Sequence, residues 1–267
     1  MTLVMGILNV TPDSFSDGGL FLGPDAAVAH GVQLAKAGAD FVDVGGESTR
    51  PGAERVSPEE ELRRVIPVVR ELAASGIRAS IDTMRASTAV AAVEAGAVMV
   101  NDVSGGLADP QMAPAVADLG VDFVCMHWRA HSTQMDALDA YEDVVAEVRD
   151  ELAARVAGLM AAGVAAERII LDPGLGFAKV GDSNWPLLAN IESWAQGHRV
   201  LIGASRKRFL GAVTGHEDPT KREAATTAVT ALAAASGVWG VRVHDVSAAK
   251  DAIAVASAWE NASYGGG

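Results

Sequence analysis

The chain has 267 residues, of which 49% are hydrophobic and 21% charged, so it is long and apolar enough for one large α/β domain. Its formal net charge of −13 would repel a phosphate backbone, and we therefore expect no nucleic-acid partner. The single cysteine, Cys125, lies in an apolar run, which excludes an internal disulfide and a multi-cysteine metal site.

Short β-branched runs alternate with longer alanine-rich segments of helical period, and eight such units follow one another along the chain. The predicted strands are 3–10, 41–44, 77–81, 98–101, 121–126, 169–171, 200–202 and 240–243. The predicted helices are 26–37, 58–74, 87–94, 111–119, 141–162, 185–191, 221–235 and 248–259. Gly38, Gly96 and Gly163 each follow a predicted helix, where a left-handed residue commonly ends it.

Eight similar βα units predict a closed (β/α)8 TIM barrel, formed as a single domain over residues 1–267 with a frayed tail at 262–267. An open, doubly wound sheet is the alternative architecture. It is disfavoured because the first strand is not followed by a turn with the G-x-G-x-x-G spacing. The chain starts without a basic leader and no apolar run reaches about 18 residues, so we expect a cytoplasmic protein that does not engage a membrane.

Polar side chains collect where the predicted strands end. Since the carboxyl ends of all barrel strands share one face, these side chains should converge at the mouth where barrel enzymes place their chemistry. Taken singly, Asp82 could cap a helix and Asp172 could belong to a turn. The residues concerned are Asn9, Asp43, Glu47, Asp82, Asn101, Asp102, His127, Asp172, Ser205, Arg206, Lys207, Arg242 and His244.

Two loops rich in glycine and serine, 9–19 and 45–52, follow the first and second strands. Each has a distinctive side chain, Phe15 in the first and Arg50 in the second, and both loops are candidates for lids that exclude water. His127 and His131 are four residues apart but have no carboxylate between them, so we do not expect a zinc site there.

Seven ordered motifs, each after a different predicted strand, make the pattern specific, and together they resemble the dihydropteroate synthase family over essentially the whole chain. The resemblance implies a transferase of folate biosynthesis that joins (7,8-dihydropterin-6-yl)methyl diphosphate to 4-aminobenzoate and releases diphosphate. The motifs are NVTPDSFSDGG at 9–19, GGESTRPG at 45–52, SIDT at 80–83, NDVSGG at 101–106, DPGLGF at 172–177, SRK at 205–207 and RVH at 242–244.

The chemistry of a pterin agrees with this resemblance. A pterin ring presents a row of donors beside acceptors, so its pocket needs buried acceptors together with an amide or a cation. Asp82, Asn101, Asp172 and Lys207 have those properties, and apolar walls from Met126 and Phe177 would sandwich the ring.

The resemblance also implies positions for the remaining groups. Diphosphate would be bound by Asn9, Thr49, Arg50, Arg242 and His244, with Mg²⁺ held by Asn9 and substrate oxygens. The 4-aminobenzoate would be bound by Phe15, Thr49, Pro51, Ser205 and Lys207, and the catalytic residues would be Asp17, Asp82, Arg50 and Lys207. A homodimer packed through outer helices near the end of the chain is a further implication.

Two alternatives remain open from the sequence. A pterin-dependent methyltransferase domain that hands a methyl group to a corrinoid partner would use Asp82, Asn101 and Asp172 but give no purpose to Ser205 or to the segment 49–51. A non-catalytic pterin-binding paralogue is the second alternative, and the intact loop residues speak against it. Release of diphosphate with and without 4-aminobenzoate distinguishes all three readings.

Overall fold

The computed structural model of the chain describes residues 1–11, 24–47, 55–130, 139–179 and 181–264. Eight parallel strands close into a barrel in sequence order, with β8 paired to β1. This confirms the predicted (β/α)8 architecture and excludes the open sheet. The strands are β1 Leu3–Asn9, β2 Phe41–Gly45, β3 Ala79–Asp82, β4 Met99–Asp102, β5 Asp122–Met126, β6 Ile169–Asp172, β7 Arg199–Ile202 and β8 Gly240–Val243.

Helices surround the barrel because each carries a strip of small and branched apolar side chains that packs onto the outer face of the strands. They are α1 Pro24–Lys36, α2 Pro58–Ala74, α3 Ala86–Glu94, α4 Met112–Leu119, α5 Val144–Ala161, α6 Asn184–Ala189, α7 Ile191–Ala195, α8 Arg208–Thr214, α9 Glu223–Ala235 and α10 Val246–Tyr264. Gly38, Gly96 and Gly163 have φ of 103°, 112° and 103°, as their predicted place after a helix requires.

Four helix assignments differ from the sequence prediction. The helix expected at 185–191 is two short helices, α6 and α7, separated at Asn190, whose φ of −128° and ψ of 42° are not helical. Helix α8 was not predicted at all. The predicted start at Tyr141 was too early, since α5 begins after Asp143, whose side chain caps the amides of Val145 and Ala146. Helix α10 runs through Tyr264, into the expected frayed tail, and residues 265–267 lie outside the described part of the chain.

The inside of the barrel is apolar at one end and polar at the other. Near the amino ends of the strands, inward side chains form a separate buried cluster of Met5, Phe41, Met99, Val124, Ile170 and Leu201. Nearer the carboxyl ends, strand register takes Asn9 to Gly45, Gly45 to Asp82 and Asp82 to Asn101, so these residues occupy one level of the barrel. The apolar cluster therefore closes the barrel below a polar mouth.

No helix in the described residues is both long enough and apolar enough to cross a membrane. Cys125 is fully buried on β5, as its apolar surroundings predicted, and burial raises the pKa of its thiol far above the ordinary value.

Candidate active site

A buried network of two carboxylates, an amide and a guanidinium forms the floor of the mouth. Arg242 on β8 donates from Nε to Asp43 Oδ2 (2.7 Å) and from Nη2 to Asp82 Oδ2 (2.8 Å). Asn101 on β4 donates from Nδ2 to the same Asp43 oxygen (2.9 Å). Four side chains from four strands thus hold one another in fixed positions.

Glycine at position 45 leaves room between the neighbours of this floor. A Cβ there would lie 3.6 Å from Asp82 Oδ2 and 3.8 Å from Asn9 Oδ1. The contact shows that the Asn9 amide oxygen faces the same space as the Asp82 carboxylate. The structure therefore brings Asn9, Asp82, Asn101 and Arg242 together, as the sequence predicted.

Asp82 has an unusual electrostatic position. Burial raises its pKa to about 7, Arg242 opposes that rise, and the neighbouring Asp43 carboxylate adds to it. A carboxyl group poised near neutrality inside a mouth formed by strand ends is a typical functional-site feature.

The opposite wall is formed by Asp172, Lys207 and Phe177. The Lys207 ammonium donates to the Leu175 carbonyl and lies 4.6 Å from the centre of the Phe177 ring. Burial lowers the pKa of Lys207 to about 8, whereas the nearby Asp172 carboxylate acts to raise it. Asp172 accepts a hydrogen bond from the amide of Gly174 (2.7 Å), and its pKa is raised by burial despite the attraction of Lys207.

Gly203 lies between Asp172 and Arg242: a Cβ at this position would lie 3.5 Å from Asp172 Oδ2 and 4.0 Å from Arg242 Cβ. The two side chains therefore border the same space. Met126 is paired in register with Asp172 and is 4% exposed, so it contributes an apolar side to this wall. The floor with Asp43 and Asp82 and the wall with Asp172 and Lys207 thus line the same mouth of the barrel.

Ser205 and His244 form a third group at the ends of β7 and β8. The Ser205 hydroxyl oxygen lies 2.9 Å from His244 Nδ1 and accepts from the His244 backbone amide (3.2 Å). The sequence assigned these residues to different substrates, and the structure places them in direct contact. Any ligand group that meets one of them is therefore close to the other.

Five of the sequence-predicted site residues lie outside the described residues, and their roles stay predictions. They are Phe15, Asp17, Thr49, Arg50 and Pro51. Glu47, within the second loop, is described: it accepts from Arg85 (3.0 Å) and Arg55 (2.9 Å).

Sequence reasoning placed Asp43 among the strand-end residues but gave it no role. The structure makes it the acceptor that joins Asn101 to Arg242, while its second oxygen, Oδ1, is buried without a protein partner in the described part of the chain. The available signal was a carboxylate within the otherwise apolar strand Phe41–Gly45, since an isolated charge is costly there unless it is paired.

The chemistry of the mouth fits Mg²⁺ only as an ion shared with a ligand. No group of three or more His, Cys, Asp or Glu side chains suited to a metal occurs among the described residues. The Asn9 amide oxygen is an oxygen donor of the type Mg²⁺ accepts, and this ion commonly takes most of its remaining ligands from phosphate oxygens and water.

Comparison with known proteins agrees with this geometry. Residues 5–244 match the family model described as "Pterin binding enzyme". The dihydropteroate synthase of Mycobacterium leprae is 56% identical to the chain over 266 residues, which cover 97% of this chain and 94% of that protein.

Solved structures agree as well. Xanthomonas albilineans dihydropteroate synthase with 4-aminobenzoic acid superposes with a TM-score of 0.91 at 48% identity, covering 97% of this chain and 93% of that one. The same enzyme in complex with 7,8-dihydropteroate gives a TM-score of 0.88 at 45% identity, covering 97% and 94%. Since sequence, fold and polar mouth agree over nearly the full length, the chain belongs to the pterin binding enzyme family and, within it, to the dihydropteroate synthases.

Proposed function

We propose that this protein condenses (7,8-dihydropterin-6-yl)methyl diphosphate with 4-aminobenzoate to give 7,8-dihydropteroate and diphosphate. The observation that supports the proposal most directly is the meeting of Asp82, Asn101, Asp172 and Lys207 at one barrel mouth. The bound molecules named for the two Xanthomonas structures, 4-aminobenzoic acid and 7,8-dihydropteroate, are the second substrate and the product of this reaction.

The pterin ring would be recognised by pairing its donors and acceptors with buried partners. Asp82 and Asp172 supply acceptors, Asn101 supplies an amide and Lys207 supplies donors. Met126 and Phe177 provide apolar faces for the flat ring. Each unmatched buried partner would cost about 1–3 kcal/mol, which rejects heterocycles with a different donor pattern.

The diphosphate would occupy the side of the mouth formed by Arg242, His244 and Asn9, with help from Thr49 and Arg50. Arg242 supports this role because its guanidinium already reaches the Asp82 carboxylate and would balance the negative charge of a diphosphate beside it. Asn9 would hold Mg²⁺ together with substrate oxygens, and the bound ion would neutralise charge on the leaving diphosphate.

The reaction would begin by breaking the C–O bond between the pterin methylene carbon and the diphosphate. The bonding electrons leave with the diphosphate, and the remaining dihydropterin-methyl cation is conjugated with the ring. The aniline nitrogen of 4-aminobenzoate then donates its lone pair to the methylene carbon and loses one proton. No covalent enzyme intermediate is needed.

Catalysis would come mainly from fixed charges, because opposite charges develop on the two fragments. Asp82 and Asp17 would stabilise the cation, while Arg242 and Arg50 would stabilise the diphosphate. The hydrogen-bonded floor suits this task because Arg242 is already held by Asp43 and Asp82 before substrate arrives. A single fixed group of this kind is worth about 3 kcal/mol in the transition state.

The 4-aminobenzoate would lie against Ser205 and the stem of Lys207, with Phe15, Thr49 and Pro51 completing its site. The contact between Ser205 and His244 supports this arrangement, because it sets the second substrate beside the diphosphate that leaves. Attack and departure would then take place at the same carbon.

We propose, in addition, a homodimer and a cytoplasmic location. The homodimer is supported by large apolar side chains that face outward on the last helices, with Leu232 69% and Trp259 77% exposed. The location is supported by the single, buried cysteine, which fits a reducing compartment.

The experiment that tests the activity measures diphosphate release from the pterin diphosphate with and without 4-aminobenzoate. The proposed synthase releases diphosphate with 4-aminobenzoate and forms 7,8-dihydropteroate in equal amount. A methyltransferase domain or a non-catalytic paralogue would bind the pterin and form no dihydropteroate, and that result would refute the proposal.

A further inference from the structure

Lys179 is a buried lysine for which the proposed function has so far given no role. It ends the loop of residues 173–179 that follows β6, here called the β6 loop, and it is 2% exposed. Its ammonium donates to the carbonyls of Phe177 (3.1 Å) and Gly174 (3.3 Å) and to Nδ1 of His127 (2.9 Å). An ammonium has three donors, so these contacts use all of them.

The β6 loop has a backbone that needs such support. Gly174, Gly176 and Ala178 have φ of 67°, 73° and 47°, so three of its residues are left-handed and one of them has a side chain. A left-handed alanine costs about 1 kcal/mol and persists only where the surroundings impose it. A Cβ at Gly174 would overlap the carbonyl of His127, which shows how closely the loop packs on the end of β5.

This loop sets two contacts of the proposed pterin site. It carries Phe177, whose ring lies 4.6 Å from the Lys207 ammonium, and the carbonyl of its Leu175 accepts from that same ammonium. The Gly174 amide of this loop donates to Asp172 Oδ1 and so orients the carboxylate that is proposed to bind the pterin. A displaced β6 loop would therefore misplace an acid, a cation and an aromatic wall together.

Neighbouring elements hold the loop at other points. The hydroxyl of Tyr141 donates to the Ala178 carbonyl (3.0 Å), and Asn184 on α6 accepts from the Gly176 amide (2.7 Å). Asn184 also donates from Nδ2 to the carbonyls of Lys179 (3.2 Å) and Gly181 (3.0 Å), so it supports the end of the loop. Lys179 differs from both residues because its ammonium joins two carbonyls of the loop to His127, directly after β5.

His127 connects Lys179 to the surface. Its Nε2 lies 2.9 Å from Oε2 of Glu151 on α5, and Glu151 is itself paired with Arg129 (2.5 Å). Burial and the neighbouring Lys179 cation together lower the pKa of His127 to about 4, so the imidazole is neutral and accepts at Nδ1. The imidazole of His127 therefore donates from Nε2 to Glu151 and accepts at Nδ1 from the Lys179 ammonium.

Burial also lowers the pKa of Lys179, to about 7. The charges facing it from the surrounding elements oppose one another: Asp172 and Glu151 favour the ammonium, whereas Lys207 and Arg129 disfavour it.

We propose that Lys179 is a positioning residue for the pterin ring, which acts by clamping the β6 loop so that Asp172, Phe177 and the Lys207 ammonium meet the ring together. The proposal rests on the proposed function. Arg242 and His244, on and directly after β8, lie outside the clamped loop, so the effect of Lys179 should be confined to the ring half of the substrate.

The decisive variant is Lys179→Met, which keeps the length of the side chain and removes its donors. Binding is measured by calorimetry with two probes: 6-hydroxymethylpterin, which has the ring without diphosphate, and inorganic diphosphate with Mg²⁺. We expect the dissociation constant of the ring probe to rise about tenfold or more and that of diphosphate to stay within about twofold. In turnover, KM for the pterin substrate should rise while kcat at saturation stays within about threefold.

Two further variants complete the test. Tyr141→Phe removes only the hydrogen bond to Ala178 and should weaken the ring probe about two- to fivefold. Lys250→Met removes a lysine that pairs with Asp40 at the amino end of β2 and should change neither probe.

Unchanged ring affinity in Lys179→Met, or equal loss of both probes, would overturn the proposal. If Lys179→Met does not fold, unchanged ring affinity in Tyr141→Phe has the same consequence. A wild-type protein that fails to bind 6-hydroxymethylpterin would instead refute the proposed function.

Discussion

Lys207 is the residue on which the pterin wall depends most, because its ammonium contacts the loop carbonyl of Leu175 and the ring of Phe177 in one place. Lys207→Ala should weaken pterin binding by roughly two orders of magnitude, since it removes the cation that most strongly stabilises the charge of the buried Asp172 carboxylate. Calorimetry with 6-hydroxymethylpterin measures this directly. Unchanged affinity would show that Lys207 does not bind the pterin ring.

The raised pKa of Asp82 predicts how pterin affinity depends on pH. The carboxylate must be ionised to accept from the ring, and burial raises its pKa against the opposing effect of Arg242, so Asp82 becomes protonated in the empty site at a higher pH than a solvent-exposed aspartate. Affinity should therefore rise with pH, by up to about tenfold per unit well below the pKa, and level off above it. The measurement is titration of 6-hydroxymethylpterin between about pH 5 and 8.

Asp82→Asn provides the control for this pH dependence. An amide has no proton to lose in this range, so the variant should bind more weakly and with a flatter profile. An unchanged slope would assign the titration to a different group.

Strand-end positions were predictable at the residue scale because a parallel barrel sends every carboxyl end to one face. This reasoning placed Asp82, Asn101, Asp172 and Arg242 correctly without any tertiary information. The part played by Lys179 was not predictable, because its partner His127 lies 52 residues away and belongs to a different strand end. A lysine in a glycine-rich loop looks solvent-exposed until the fold buries it.

Among the larger elements, strands were easier to predict than short helices. A buried parallel strand is a continuous apolar run, and all eight were found with ends displaced by two residues or fewer. Helix α8 spans seven residues and contains Gly211, so it is too short for a helical period to be recognised. Tertiary contacts support this helix: Arg222, just before α9, donates to the carbonyl of His216 (2.9 Å), two residues after α8 ends.

An ion cluster around Arg85 joins three elements. Arg85, which precedes α3, donates to Glu61 on α2 (2.5 Å), to Glu47 after β2 (3.0 Å) and to the Val56 carbonyl (2.6 Å). Glu61 is 1% exposed and also accepts from Thr83 (2.7 Å), which directly follows Asp82. The cluster thus links the floor of the site to the helices outside it.

Arg85→Met should lower the free energy of unfolding by about 3 kcal/mol, because it leaves a fully buried carboxylate without its cation. Urea denaturation followed by circular dichroism measures the change. Arg63→Met is the matched control: Arg63 pairs with Glu60 on the same helix but is 73% exposed, and its loss should leave stability unchanged. Equal stability of the two variants would show that the cluster adds nothing.

Closure of the barrel brings the ends of eight separate strands together into one site. The polar mouth is built from β1, β2, β3, β4, β6 and β8 together with the segments after β6 and β7, so no fragment of the chain contains it. The repeating βα pattern predicts this closure. It does not predict which outer surface is covered by a partner, because an exposed apolar residue on a helix looks the same in sequence whether it faces solvent or a second protein.

Helices α9 and α10 pack on each other and both present large apolar side chains outward, with Leu232 on α9 and Val255 and Trp259 on α10 all more than 60% exposed. If the proposed homodimer uses this surface, a charge at its centre must be desolvated on association. Leu232→Lys and Trp259→Lys should therefore give monomers at micromolar concentration in size-exclusion chromatography with light scattering. Met160→Lys, at a 49% exposed position on α5, should leave the dimer intact. A dimer that survives both substitutions would place the interface elsewhere, and a monomeric wild-type protein would refute the proposed homodimer.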